Sequence, residues 1–178
     1  MKPRVILAVS GSLRTGSSNT ILLEAVAKLA LSDVSFEFYR GIGELPHYNP
    51  DREDEAIPVV ADWKARVSAA DGILICSPEY ARGVPGTFKN ALDWLVGGIE
   101  IVGKPVAVIN ASPYSTHAHA SLMTILATMS ARVIPEASIT VPLRGKNLTA
   151  GEIARDPLLA GKLRSALEVI LAAMVQKE

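Results

Sequence analysis

The sequence predicts an α/β protein of three layers, a doubly wound five-stranded parallel sheet between helices, and three observations carry that prediction. Apolar runs without alternation recur at Val5–Val9, Gly72–Cys76 and Val106–Ile109, the pattern of strands buried on both faces of a parallel sheet. Stretches of helical periodicity separate them, so strand and helix alternate along the chain. The polar loops bearing glycine, proline and hydroxyl groups follow strands one, three and four, which collects them at the carboxyl edge where open sheets bind ligands.

The 178 residues fit one domain, 1–178, long enough to bury a real core. Eighteen basic residues balance eighteen acidic ones, which points away from nucleic acid and anionic membranes. Apolar content is 49%, yet the apolar runs are far shorter than the roughly 20 residues that cross a bilayer. The first strand begins so early that a signal peptide is not expected. A lone cysteine, Cys76, excludes an internal disulfide and fits a reducing, cytoplasmic setting.

The elements follow in order. Val5–Val9 is the first strand, and a helix with Ile21, Leu22, Ala25, Val26 and Leu29 on one face comes after it. Val34–Tyr39 alternates apolar and polar, as a strand nearer the sheet edge does. Gly41–Ile57, with two prolines and an acidic run, reads as a solvated loop. Pro58 opens a helix that turns Val60, Trp63, Val67 and Ala70 inward. Gly72–Cys76 is the third strand, and Gly86–Leu95 a helix with Phe88, Ala91, Leu92 and Leu95 inward. Val106–Ile109 is the fourth strand; Thr116–Met129 is helical, with Leu122, Ile125, Leu126 and Met129 as its stripe. Ser138–Val141 is expected to be the fifth strand and Gly145–Arg155 a polar surface connection. Asp156-Pro157 reads as the cap and first turn of a last helix through Leu163, Leu167, Ile170 and Met174.

The chemistry concentrates between the first strand and its helix. Ser10-Gly11-Ser12-Leu13-Arg14-Thr15-Gly16-Ser17-Ser18-Asn19-Thr20 places short donors around one cation, just where a helix N-terminus presents free N–H groups and a positive dipole end. Gly11–Ser18 reads G-x-x-x-x-G-S-S, with Ser17 where a triphosphate loop needs lysine, and the dinucleotide pattern G-x-G-x-x-G is absent. Hydroxyls and an arginine fork suit a terminal phosphate monoester. The plainer alternative is a serine-rich turn that caps its own helix.

The loop after the third strand, Ser77–Gly86, pins an irregular backbone with two prolines and two glycines and offers Tyr80. Asn110–His117, after the fourth strand, adds Ser112, Tyr114 and further hydroxyls. A phosphate cradle beside a flat polar slot describes a mononucleotide site.

Gly11–Asn19, together with Pro78-Glu79-Tyr80 and Val84-Pro85-Gly86-Thr87-Phe88-Lys89-Asn90-Ala91-Leu92-Asp93-Trp94, resembles the NADPH-dependent FMN reductase family, which includes bacterial quinone and chromate reductases. The resemblance covers almost the whole chain and implies a flavodoxin-like fold with strand order 2-1-3-4-5. It implies that Ser12, Arg14, Ser17, Ser18, Asn19 and Thr20 hold the FMN phosphate, and that Pro78, Glu79, Tyr80, Ala81, Arg82, Gly83 and Ser112 frame the flavin ring. It further implies hydride passage from NADPH or NADH through FMN to a quinone, chromate or azo acceptor in a ping-pong cycle, in a homodimer or homotetramer. No obligatory acid, base or metal is nominated.

The sequence departs from the family at Ala81, often asparagine there, at Tyr114-Ser115 in place of a double glycine, and at Arg82, commonly aromatic or small. Arg82 has three readings: solvent, an ion pair with Glu79 across a subunit contact, or a phosphate of the incoming nucleotide. Glu79 itself reads as structural rather than as a catalytic acid. Cys76 reads as a core thiol rather than a nucleophile. His117 and His119, two apart, fall on different helix faces and do not make a metal site together; His117 has the ring pocket or a subunit contact within its range, and His47 reads as a surface residue. Trp94, Leu95 and Val96 are expected to expose an apolar surface for assembly. The rival classes are a flavodoxin-type electron carrier, which is typically more acidic, and a non-catalytic nucleotide sensor.

Overall fold

The computed structural model describes residues 3–143 and 147–175. Strands β1 (Arg4–Ser10), β2 (Val34–Tyr39), β3 (Gly72–Cys76), β4 (Pro105–Val108) and β5 (Arg132–Val133) form one sheet in the order β2-β1-β3-β4-β5. Every neighbouring pair is parallel. Around it lie α1 (Ser18–Leu29), α2 (Pro58–Ala69), α3 (Gly86–Asp93), α4 (Thr116–Thr128), α5 (Ala150–Arg155) and α6 (Pro157–Val175). The strand order is the flavodoxin-like one, and it reverses between β1 and β3.

The unalternating strands have their cause in two cores. Ile6, Ala8, Leu74 and Cys76 pack with Leu22, Val26, Leu163 and Ile170 on one face. Leu7, Val9, Ile73 and Ile75 pack with Trp63, Val67, Phe88 and Leu126 on the other. Each fully buried aliphatic or aromatic side chain contributes roughly 1.5–3 kcal/mol. Trp63 is buried without an orphaned donor, since its Nε1 donates to the Ala91 carbonyl at 2.8 Å.

The helix starts have local reasons. Ser17 caps α1 and Pro58 opens α2. The Asp156 carboxylate accepts from the N–H groups of Leu158 and Leu159 at the head of α6.

Three expectations need correction. The edge strand is Arg132–Val133 rather than Ser138–Val141. Pro135 opens a 3-10 turn that ends the strand, and the chain rejoins the β4 line beyond that strand's end, through a parallel bridge between Asn110 and Thr140. The stretch Gly145–Arg155, whose residues 145 and 146 lie outside the described ones, is no plain connection: it ends in α5, where Thr149 and Glu152 form a reciprocal capping box and Ile153 is buried. Trp94 and Leu95 are buried, Trp94 by donating Nε1 to the Pro46 carbonyl at 2.8 Å. Of the apolar surface expected there, Val96 alone is exposed, joined by Ile99 and Val102.

Candidate functional site

The register brings the loops after β1 and β3 out side by side, with Ser10 opposite Cys76. They are also fastened to each other. Gly11 donates its N–H to the Cys76 carbonyl at 2.9 Å. A Cβ on Gly11 would lie 2.3 Å from Ser77 Oγ and 2.8 Å from Ser77 Cβ, so only glycine permits that approach. Gly16, at φ +67°, supplies the turn back into α1.

Within the β1 loop the side chains divide into two sets. Ser17 and Asn19 are buried and engaged internally. Ser17 Oγ accepts from the Asn19 N–H and from Asn19 Nδ2, while Asn19 Oδ1 accepts from the Cys76 thiol at 3.3 Å. Burial pushes that thiol far above its ordinary range, so Cys76 is a core residue and not a nucleophile. The second set faces outward. Ser12 and Thr20 line a cavity with Arg14, and Ser18 is half-buried at the first helical position. Ser10, which sequence reasoning passed over, is their hub: its Oγ receives the Ser12 N–H at 3.3 Å and the Thr20 hydroxyl at 2.9 Å. A hydroxyl ending an otherwise apolar strand was the available signal.

The electrostatics of this loop favour an anion. The first N–H groups of α1 have no intrahelical acceptor, the first turn carries no acidic residue, and Arg14 is exposed with its Nη2 near the Gly16 carbonyl at 3.4 Å. The donor set fits a phosphate monoester.

The β3 loop is built differently. Tyr80 and Gly83 exchange both backbone hydrogen bonds, at 3.1 and 2.9 Å, around Ala81 and Arg82 at φ 48° and 61°. Two consecutive non-glycine residues in the left-handed region make a primed turn held under strain. Tyr80, Ala81 and Arg82 are exposed at the tip, whereas Pro78, Glu79 and Gly83 are half-buried at its base. Glu79 anchors that base, its Oε2 accepting the Ala118 N–H in the first turn of α4 at 2.9 Å. Among the described residues Arg82 forms no ion pair with Glu79 within the chain.

The third loop is organised by Asn110, which the sequence reading did not single out. Its Oδ1 accepts from the Ser112 N–H at 3.0 Å and its Nδ2 donates to the Ser115 carbonyl at 3.3 Å. Ser112 is half-buried, and its Oγ accepts from Tyr114 N–H. Behind it a hollow of about 10 Å³ lies between Ser77, Asn110 and His119, where His119 Nδ1 is buried without a partner. Burial holds the His119 imidazole below its ordinary pKa and so keeps it neutral. His47 and His117 are exposed.

A larger cavity, about 360 Å³, opens beside the β1 loop on the far flank from β3. Phe38, Tyr39, Arg40 and Ile42, at and beyond the end of β2, form its other wall.

No helix among the described residues is long and apolar enough to cross a membrane.

Comparison with known proteins agrees with this geometry. Residues 5–144 match a family model described as NADPH-dependent FMN reductase. A 2-hydroxy-1,4-benzoquinone reductase from Burkholderia sp. is 46% identical over 110 residues, 60% of this chain and 60% of that protein. An NADPH azoreductase from Bacillus sp. (strain OY1-2) is 34% identical over 135 residues, 74% of each chain. Among solved structures, the flavoenzyme NAD(P)H:(acceptor) oxidoreductase from Paracoccus denitrificans superposes with TM-score 0.82 at 29% identity, covering 96% of this chain and 98% of that one. The match thus spans about three fifths of the length of the benzoquinone reductase.

Proposed function

The chain belongs to the NADPH-dependent FMN reductase family, and from that premise we propose that it binds FMN and passes hydride from NAD(P)H to a small acceptor of the quinone type. The observation that carries the reading is the fastening of an anion-receptive loop to an exposed, strained loop at one sheet edge, through Gly11, Cys76 and Ser77. Ser12, Arg14, Ser18 and Thr20 take the phosphate with the first N–H groups of α1. Ser17 and Asn19 hold the loop in shape, their own N–H groups donating to the Arg14 carbonyl and to Ser17 Oγ. Pro78, Glu79, Tyr80, Ala81, Arg82 and Gly83 border the ring from the β3 side, and Ser112 from the β4 side.

The bound flavin supplies the hydride chemistry. The protein's own part is positional. Ser10 fixes Ser12 and Thr20, Glu79 ties the ring loop to α4, and Asn110 holds the β4 loop closed. Fixed geometry of this kind lowers the entropic barrier to transfer between stacked rings. No side chain is required to act as acid or base.

The relatives' names include quinone and azo reductases, which supports small aromatic acceptors. Cytoplasmic placement and a homodimer or homotetramer complete the proposal; the exposed Val96, Ile99 and Val102 offer apolar contact for the latter. The test is anaerobic mixing of FMN-loaded protein with NADPH while flavin absorbance is followed. Rapid bleaching and reoxidation by a quinone are expected. A flavin that stays oxidised leaves a carrier or a sensor and overturns the reductase reading.

A further inference from the structure

The small hollow behind the β4 loop lies where the three site loops meet. Ser77 lines it from the β3 loop, and Ser77 is also the residue against which Gly11 fastens the β1 loop. Asn110, which shapes the β4 loop, lines it as well, and His119 of α4 closes it. One residue earlier on α4, Ala118 gives its N–H to Glu79 of the β3 loop. Ser77 and Asn110 are both buried. The His119 Nδ1 is buried too and has no partner among the described residues, a costly state for a polar atom.

The groups around the hollow have bonding capacity in reserve. The Ser77 hydroxyl donates to the Pro78 carbonyl at 3.2 Å, which leaves its oxygen able to accept. Asn110 spends one Nδ2 proton on the Ser115 carbonyl and keeps the other. About 10 Å³ is room for one water, and three polar partners are what such a water needs.

We propose that His119 is a positioning residue: while its imidazole is neutral, one water in this hollow joins it to Ser77 and Asn110 and locks the β3 and β4 loops together, and protonation opens the lock. The inference rests on the flavin binding of the reductase reading and deepens it.

The surroundings favour the neutral ring. Ser77, Val108, Ile109, Asn110, Ala118 and Leu122 around the hollow carry no charge. His119 stands fourth in α4, near the positive end of the helix dipole, which repels a cation. The charged groups on elements against α4 are engaged elsewhere. Glu79 accepts the Ala118 N–H, and Arg132 of β5 donates to the Ala173 carbonyl. On α4 itself His117 is exposed. Burial lowers the His119 pKa. The lock is therefore complete above the ordinary imidazole value of 6.5 and is lost as pH falls through the lower native one.

The test follows the imidazole itself. The full chain is titrated by NMR without flavin and with saturating FMN, His119 being identified by the signal missing from His119→Gln. A midpoint below the ordinary range is expected. FMN should lower it further, since a ligand that binds the neutral form better must disfavour protonation by the same factor. In fluorescence titrations at about pH 5, FMN should bind the parent about tenfold more weakly than His119→Gln, whose amide holds the water without titrating. At about pH 7.5 the two should agree within a few-fold. Comparing them at each pH cancels the titration of the FMN phosphate itself, near pH 6. His119→Leu should weaken FMN at both pH values, and adding Ser77→Ala should cost little more, because both cut one link. A His119 midpoint that FMN leaves unmoved overturns the inference. So do equal affinities of parent and His119→Gln at the acid pH, or additive losses in the double variant. Failure of the reductase reading looks different: FMN binds with this pH linkage, yet NADPH does not bleach it.

Discussion

The loops after β1 and β3 leave the same sheet edge one strand apart, yet they are stabilised in opposite ways. The β1 loop keeps its backbone in easy regions, with a glycine at its positive-φ turn, and spends buried side chains on internal bonds among Ser17, Asn19 and Cys76. The β3 loop puts Ala81 and Arg82 where glycine belongs, exposes both, and is tied at its base through Glu79 to the head of α4. The first loop is therefore preorganised to receive a fixed anion. The second stores strain where, in the proposed reaction, different molecules enter and leave in turn, and strained segments tend to occur at such sites. Four substitutions, two per loop, sharpen or break that contrast.

Arg14→Ala carries the largest expected effect. Losing a charge-assisted hydrogen bond to phosphate should weaken FMN by about 1.5–3 kcal/mol and leave riboflavin binding as it was. Fluorescence titration with both flavins reads this directly, and equal affinities for the two in the parent protein would sink the phosphate assignment.

Gly11→Ala tests the fastening between the loops. The new Cβ meets the Ser77 side chain at 2.3 and 2.8 Å and the Phe88 ring at 3.2 Å. Overpacking of this kind costs about 1–3 kcal/mol, measurable as a lower urea midpoint at unchanged slope. A neutral result would show that Ser77 swings away freely and that the two loops are not one rigid unit.

Ala81→Asn acts in the reverse direction. Left-handed backbone costs an ordinary residue roughly 1–2 kcal/mol, and asparagine tolerates it better. The variant should gain on the order of 1 kcal/mol in stability, whereas the same change on an unstrained surface should do nothing. Destabilisation would mean that the turn is held by contacts of the Ala81 methyl rather than strained by its backbone.

Much of this was legible in the chain. The unalternating runs at Val5–Val9 and Gly72–Cys76, Pro58 and Asp156 as helix openers, and Trp63 as a core residue are all found as read. Local patterns of this kind survive folding because their causes are local. The misread pieces have causes of both kinds, two of them local and passed over and one non-local. Ser138–Val141 has strand composition, but the turn opened by Pro135 displaces it so that it pairs with Asn110 beyond the end of β4. Thr149 and Glu152 nucleate α5 although the sequence around them is polar. Trp94 reads as surface until the Pro46 carbonyl, far away in sequence, is found against its indole nitrogen. Within the site, Arg14 and Thr20 announce themselves by type and spacing. The inward turn of Ser17 and Asn19, and the place of Ser10 and Asn110 as organisers, depend on which neighbour the fold supplies.

Arg82 is the cation of the strained loop, as Arg14 is of the stiff one, and it carries the smallest expected effect. It sits at the exposed tip of the turn, and among the described residues it forms no ion pair with Glu79 within the chain, where Glu79 accepts the Ala118 N–H. What remains is solvent, a partner subunit, or a phosphate of the incoming nucleotide. NADPH and NADH share the pyrophosphate and differ only at the 2′ position, so a cation at the ring loop meets the part they have in common. Arg82→Ala should therefore raise KM for both nucleotides together, several-fold, an effect of order 1 kcal/mol. The effect should shrink as salt is added, since an exposed charge is screened within about 8–10 Å at physiological ionic strength. FMN affinity and thermal stability are not expected to follow. If the variant instead falls to a smaller species in light scattering at unchanged KM, its partner is another subunit. If neither KM moves and assembly holds, Arg82 meets only water, and the ring loop selects its substrates by shape and strain rather than by charge.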